Sequence, residues 1–189
     1  MDSFRWITTV LSMILGLGVT RLLSSVIAMF RSRAHSRLDW IPLVWAGCIF
    51  VWQLQFWWAI IELPGLVKVW TLGYFLTLVT LTLLLFVAAA LVLPPGELAG
   101  HESMTAAFER DGRWSLVALS GYFVLALVAD WVFWGVTPFS VWGALLALLI
   151  GLPPAYLAMK TRAAQATITI LYVPLSIGAA IALSPAKYS

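Results

Sequence analysis

Residues 70–93 read WTLGYFLTLVTLTLLLFVAAALVL, and this stretch contains no charged residue. At 1.5 Å per residue, a helix of this length extends about 36 Å, enough to cross the roughly 30 Å hydrocarbon core of a bilayer. The run is continuously apolar, whereas a transmembrane β-strand alternates polar and apolar residues. Residues 70–93 therefore predict a membrane-spanning helix.

The same criterion finds five further apolar stretches, and the six together use most of the chain. The predicted spans are residues 6–30, 40–61, 70–93, 114–135, 138–159 and 166–184. The chain is 62% hydrophobic and only 10% charged, against about 25% charged residues in soluble domains. We therefore predict an all-α integral membrane protein, a single domain over residues 1–189 built as a bundle of six transmembrane helices.

Basic residues predict the orientation of this bundle. Seven of them lie in the first, third and fifth connections: Arg31, Arg33, Arg37, Arg110, Arg113, Lys160 and Arg162. Three lie on the opposite side: Arg5, Lys68 and Lys187. The positive-inside rule then predicts both termini on the non-cytoplasmic side of a cell membrane, which is the inner membrane if the source is bacterial.

Tryptophans are enriched near the predicted ends of the spans, as in an aromatic belt at the membrane–water boundary. The residues near the outer ends are Trp6, Trp57, Trp58, Trp70, Trp131, Trp134 and Trp142, and those near the inner ends are Trp40, Trp45 and Trp114. Only Trp52 is predicted to lie inside the bundle. This pattern indicates helix positions and does not indicate a ligand.

Catalytic and metal-binding motifs are missing from the sequence. The chain has one cysteine, Cys48, within a span, and its two histidines, His35 and His101, lie in separate connections. No Cys/His spacing suits a metal, and no phosphate loop or nucleophile elbow is present. We therefore predict no cofactor, no metal site and no enzymatic activity. The absence of a basic patch with interleaved aromatic residues outside the spans also argues against nucleic-acid binding.

Polar residues within the spans are the main candidates for function. Arg21 lies in the first span, slightly to the cytoplasmic side of its centre, and Asp130 lies near the outer end of the fourth. We expect their Cα atoms to be about 13 Å apart in depth, which argues against a direct ion pair. Gln53 and Gln55 lie between them in depth, but they point about 200° apart, so at most one faces an interior path. Glu62 would lie at the outer mouth of such a path.

Two interpretations of these polar residues remain open. They could line a wet path for protons or ions. Alternatively, each could make a local hydrogen bond between helices, and Arg21 could bend toward the cytoplasm or bind a backbone carbonyl. The second interpretation is favoured because two charged residues make a sparse pathway.

The first span also carries a stripe of small residues. Gly16, Thr20, Ser24 and Ala28 recur every four residues, which is a pattern that lets another membrane helix approach closely. Gly18, Arg21 and Ser25 form a neighbouring polar face. The contact predicted for the stripe can lie within the chain or between subunits.

Prolines and one long connection complete the pattern. Pro153 and Pro154 in the fifth span and Pro174 in the sixth each remove a backbone donor, and we expect Ser, Thr or water to bind the freed carbonyls. For the sixth span, the candidates are Thr169, Tyr172 and Ser176. Residues 94–113 form the longest connection, in which the spacing of Leu98, His101, Met104 and Phe108 favours a short amphipathic helix or an irregular loop about equally.

The leading functional hypothesis is a non-enzymatic multi-pass protein that acts as a structural, accessory or interaction subunit. Its predicted partners are the lipid bilayer and either another copy of the chain or a different membrane protein. The alternative is a small oligomeric channel or transporter for protons or a small solute, which would use Arg21, Asp130 and one of the two glutamines.

Overall fold

The computed structural model describes residues 2–33, 38–60, 63, 67, 70–96, 103–135, 139 and 141–182. Over these residues the protein is entirely helical. The elements are α1 (Asp2–Ser32), α2 (Trp40–Ile60), α3 (Leu72–Leu91), α4 (Met104–Ala107), a π-helical segment (Phe108–Gly112), α5 (Arg113–Trp134), α6 (Val141–Ala158) and α7 (Arg162–Ala182).

Six helices in the described part of the chain are long and apolar enough to cross a membrane, because α4, the π-helical segment and α5 form one continuous rod. This confirms the all-helical prediction and the number of spans. Most helix ends lie within four residues of the predicted ones. The exception is the fourth span, whose helix begins at Met104 instead of near residue 114.

Local signals explain several of these ends. The Thr71 hydroxyl accepts the Tyr74 N–H at 3.3 Å and so caps the start of α3. Pro94 follows soon after the end of α3, where it cannot continue the helix. At the end of α5, Gly135 adopts a left-handed conformation with φ of 64°, which favours glycine, and its N–H binds the Asp130 carbonyl.

The bundle is arranged around α2. Helix α1 packs against α2 and α3, α3 packs against α5, α5 against α6, α6 against α7, and α7 returns to α2. Aromatic side chains connect α2 to the remaining helices: Trp52 meets Phe123 of α5 at a ring-centroid distance of 4.7 Å, and Trp45 meets Tyr156 of α6 at 5.7 Å. Helix α2 is therefore the central helix, which explains why it is buried on most sides.

The outer surface of the bundle is apolar. Large hydrophobic side chains are exposed on every long helix, for example Leu17 of α1 at 63%, Leu76 of α3 at 52%, Leu148 of α6 at 53% and Ile170 of α7 at 60%. Such a surface is suited to lipid and not to water. Together with the six apolar helices, it indicates a membrane protein.

The two ends of the bundle differ in composition. One end of the bundle contains the last turn of α1 and the first turn of α2. This end carries Arg31, Arg33, Arg110, Arg113, Lys160 and Arg162. We call this the basic end. The side chains of Arg37, Lys68 and Lys187 lie outside the described residues.

The π-helical segment Phe108–Gly112 is the main departure from the predicted fold. Phe108 is buried and its ring packs edge-on against Tyr156 at a centroid distance of 6.0 Å. Met104, one turn earlier, is also buried. The spacing of these two residues favoured a short amphipathic helix and an irregular loop about equally, and the structure places them in an extension of the fourth span. Leu98 and His101 lie outside the described residues.

Candidate functional site

The inward face of α1 is not the predicted stripe of small residues. Its buried positions alternate in steps of four and three residues, which is the spacing of a left-handed helix pair. They are Leu11, Leu15, Gly18, Leu22, Ser25, Met29 and Ser32. Gly18 and Ser25, predicted to lie on a neighbouring polar face, are thus part of the contact between α1 and the rest of the bundle.

Gly18 makes room for the deepest polar side chain of the bundle. Gln53 is fully buried on α2, and a Cβ at Gly18 would collide with its Nε2 atom. The Phe86 Cα of α3 would lie 3.6 Å from that same Cβ, so the Gln53 amide is enclosed by three helices. Neither amide atom of Gln53 has a hydrogen-bond partner in the described part of the chain. A buried amide without partners is costly, which makes this position the least satisfied polar site in the bundle.

Arg21 binds the end of a neighbouring helix. Its guanidinium donates to the Ser25 hydroxyl at 3.0 Å and makes longer contacts of 3.5 Å with the carbonyls of Ala90 and Pro95. These two carbonyls lie at and just beyond the end of α3, where helical partners run out and the helix dipole favours a cation. Of the alternatives given for Arg21, the structure thus shows the one in which the side chain binds backbone carbonyls.

Arg21 and Asp130 lie far apart. Ser115, in the first turn of α5, binds the Ala88 carbonyl of α3 at 2.8 Å, so the start of α5 lies beside the same helix end that Arg21 contacts. Asp130 follows fifteen residues later, about 22 Å along the helix. Depth argued against an ion pair, and the separation is even larger than expected. The half-buried Asp130 carboxylate has no hydrogen bond or ion pair with the described residues.

The other predicted polar positions are distributed unequally. Gln53 is buried and Gln55 is only partly buried, in agreement with the 200° between their directions. Glu62, the predicted outer mouth, lies outside the described residues. Arg21, Gln53 and Asp130 therefore sit on three different helices, and the structure shows no contact that joins them.

Serine hydroxyls satisfy carbonyls in the bundle interior. Pro154 has no N–H for the Ile150 carbonyl, which is its helical partner. The Ser120 hydroxyl of α5 donates to this carbonyl at 3.1 Å, so a neighbouring helix replaces the missing bond. The equivalent prediction for Pro174 was wrong for two of the named residues: Thr169 binds the Gln165 carbonyl, and Ser176 accepts the Trp52 indole N–H at 2.8 Å.

The predicted stripe of small residues faces outward. Thr20 and Ser24 are exposed, Gly16 and Ala28 are partly exposed, and a Cβ at Gly16 would meet no atom within 4 Å. Ala28 packs partly against the core, whereas the part of the face around Gly16, Thr20 and Ser24 is open. The hydroxyls of Thr20 and Ser24 also differ in their hydrogen bonds from those of threonines on other helices.

The difference lies in their hydrogen bonds. Thr77, Thr80 and Thr167 each donate to the carbonyl four residues earlier, at 2.8–3.0 Å. The hydroxyls of Thr20 and Ser24 make no such bond with any described residue. The outward face of α1 therefore presents small side chains together with hydroxyls that have no partner among the described residues.

An ion pair between a buried carboxylate and a partly exposed arginine at the basic end was not predicted. The Asp39 carboxylate, 7% exposed, binds the Arg162 guanidinium, accepts the Thr105 hydroxyl at 2.8 Å and caps α2 through the Ile41 N–H at 3.1 Å. It thereby joins the starts of α2, α4 and α7. Asp39 and Arg162 are 123 residues apart, and each resembles an ordinary loop residue in the sequence. Only the Asp–x–Ile start of a helix could have indicated a capping role for Asp39.

Aromatic rings fill the centre of the bundle, and one of them corrects the predicted aromatic belt. Trp45 was placed near the inner membrane boundary, but it is fully buried and packs against Tyr172 of α7 at 4.5 Å. The reason is that Trp45 lies on the side of α2 that faces α6 and α7, whereas Trp40 and Trp57 lie on its exposed side. Other tryptophans do lie on the outer surface, including Trp6, Trp40, Trp57, Trp58, Trp114, Trp131 and Trp142.

The chain matches no family model, and no curated protein or solved structure matches it significantly.

Proposed function

We propose that this protein is a non-catalytic multi-pass membrane subunit that associates with another membrane helix through the outward face of α1. The face consists of Gly16, Thr20, Ser24 and Ala28. In this proposal the protein lies in a cell membrane with its basic end in the cytoplasm and both termini on the opposite side. The positive-inside rule supports this orientation.

The observation that carries the proposal is a contrast between the two faces of α1. On the inward side, Arg21 binds Ser25 and the carbonyls of α3, so this polar group is used to hold the bundle together. On the outward side, Thr20 and Ser24 expose hydroxyls beside the open surface at Gly16. In lipid, hydroxyls at a small-residue stripe gain hydrogen bonds and close packing when a second helix covers them.

The spacing of the stripe also restricts how a second helix could bind. Positions separated by four residues form a ridge that is inclined to the helix axis. Small residues along that ridge suit the right-handed crossing, near −40°, that is common for small-residue pairs in membranes. A partner helix would then contact mainly the central part of the stripe, around Thr20.

Disulfide cross-linking in native membranes tests this proposal. Single cysteines would replace Thr20 or Ser24 in a Cys48→Ala background, and a cysteine at Leu76, which is exposed on α3, would serve as the lipid-facing control. We expect oxidation to cross-link positions 20 and 24 into a dimer if the partner is a second copy. If the partner is another protein, a reagent with one thiol-reactive and one photoreactive group should link the introduced cysteine to it and give a larger product. Cross-linking no stronger than at position 76, with both reagents, would contradict the proposal.

A second candidate function, a channel or transporter, is favoured by one observation. The Gln53 amide is buried without partners among the described residues, and a water molecule or a permeating solute would satisfy it. Against a continuous path, Arg21 is bound to backbone carbonyls and Asp130 lies about 22 Å further along the bundle. Access of water to position 53 separates the two candidates.

A further inference from the structure

The last turn of α1 and the residue that follows the helix each carry an arginine whose charge no described residue balances. Arg31 and Arg33 are exposed and line one surface groove together with Ile27 and Phe30. No described acidic residue forms an ion pair with either of them. The nearest acidic residue along the chain, Asp39, is bound to Arg162.

The remaining described arginines near the basic end have other partners. Arg110 pairs with Asp111 at 2.9 Å, Arg113 stacks on the Trp114 ring at 5.4 Å, and Arg21 binds carbonyls. Among the described arginines at the basic end, the two at the end of α1 thus have neither an ion pair nor a ring contact with a described residue.

The apolar and charged side chains along this groove follow the same order as the acyl chains and the headgroup of a phospholipid. Ile27 and Phe30 are 53% and 49% exposed, and they lie within one turn of Arg31 on the same side of α1. Moving toward the end of the helix, two apolar side chains are therefore followed by two cations. An acyl chain would lie along the apolar part, and a phosphate would reach the guanidinium groups, which bind phosphate oxygens in a bidentate manner.

We infer that the groove formed by Ile27, Phe30, Arg31 and Arg33 is a binding site for a phospholipid with an anionic headgroup. Arginine binds phosphate through a geometry that lysine does not share, and basic residues at a membrane surface attract anionic lipids. The site is separate from the proposed contact at Thr20 and does not depend on it.

Native mass spectrometry of the purified full chain, titrated with dioleoyl phosphatidylglycerol or dioleoyl phosphatidylcholine, tests the inference. We expect wild-type protein to retain phosphatidylglycerol more tightly than phosphatidylcholine. The double variant R31Q/R33Q should bind phosphatidylglycerol about ten- to thirtyfold more weakly, at roughly fivefold for each arginine. Arg5→Gln is the matched control, because Arg5 is an exposed arginine beside Phe4 at the other end of the same helix, and it should leave the affinity unchanged.

A second measurement distinguishes a lipid from a free anion. Sodium phosphate and sodium chloride would be added at equal ionic strength, and we expect the same small loss of bound lipid in both. Selective displacement by inorganic phosphate would overturn the inference in favour of a free-phosphate site. Equal retention of both lipids, or unchanged binding in R31Q/R33Q, would overturn it as well. The inference would also be overturned if R31Q/R33Q lost a co-purified acidic protein while its binding of phosphatidylglycerol was unchanged. Thermal unfolding of each variant shows whether it is folded, and substitutions at these three surface positions should leave the unfolding temperature unchanged.

Discussion

Backbone carbonyls are the partners that most of the polar side chains in this bundle use. Arg21 reaches the end of α3, Ser115 reaches Ala88, and Ser120 reaches the carbonyl that Pro154 leaves without a donor. Because lipid supplies no hydrogen bonds, each of these contacts removes a penalty that the helices would otherwise carry. Both amide atoms of Gln53 are buried beside Gly18 without a partner among the described residues, and single polar atoms of Thr8, Trp45 and Tyr172 share this condition.

The close approach of Gly18 and Gln53 leads to a prediction about adding one methyl group. Gly18→Ala places a methyl group against the Gln53 amide, which is fully buried and has little room to move. We expect a net loss of about 1 kcal/mol in the free energy of unfolding, because overpacking outweighs the better helix propensity of alanine. Unfolding by denaturant in detergent micelles measures it.

The control for this prediction is Gly178→Ala on α7, where an added Cβ meets nothing within 4 Å. That variant should be unchanged or more stable by up to about 1 kcal/mol. A second control, Gln53→Ala combined with Gly18→Ala, should remove most of the Gly18 effect. Equal stability of the two glycine variants would show that the Gln53 amide is not confined as the structure indicates.

At the scale of helices, the sequence predicts the long apolar helices, because these depend on length and hydropathy. It does not predict helical segments that form because their side chains pack into the bundle. The six spans are predicted because about twenty apolar residues are needed to cross a bilayer. For the helix from Met104 to Gly112, the sequence left a short amphipathic helix and an irregular loop open and did not predict continuity with the fourth span, because MTAAFERDG carries charges. It is helical because Met104 and Phe108 pack into the bundle.

Contacts between distant residues are the other part that the sequence could not predict. Which side of α1 faces the bundle was left open by the sequence, since both the small-residue stripe and the opposite face satisfy a helical period. The ion pair of Asp39 with Arg162 joins residues 123 positions apart. A single sequence contains no signal for such a pair, because each residue alone fits a solvated connection.

The π-helical segment supports a prediction at the same scale. A Cβ at Gly112 would lie 2.7 Å from Cε2 and 2.8 Å from Cγ of Phe108. The ring is rigid, buried and packed against Tyr156, so it cannot move aside. We expect Gly112→Ala to lower the free energy of unfolding by about 1–3 kcal/mol.

Gly96→Ala provides the comparison for Gly112, because a Cβ at Gly96 has nothing within 4 Å. Its effect on unfolding should stay within about 0.5 kcal/mol. Thermal unfolding of both variants in the same detergent measures the difference. A Gly112→Ala protein as stable as the Gly96→Ala protein would mean that the π-helical turn tolerates a side chain there.

At the scale of the whole molecule, α2 is surrounded by the other long helices and its aromatic rings fill the centre. Trp45 and Trp52 are buried, and they contact rings from α5, α6 and α7. The Asp39 ion pair joins three helix starts at the basic end. A bundle built in this way holds its interior closed, and it leaves the outer faces for lipid and for the proposed partner helix.

Water accessibility of position 53 is the measurement that tests this closed interior most directly. Gln53→Cys would be made in a Cys48→Ala background and treated from each side of sealed membranes with a membrane-impermeant thiol reagent. Lys160→Cys, an exposed position at the basic end, provides the control for labelling from one side. We predict no labelling at position 53 from either side, with efficient labelling after denaturation. Labelling of position 53 in the folded protein would contradict the closed bundle and would instead support a water-filled path through the protein.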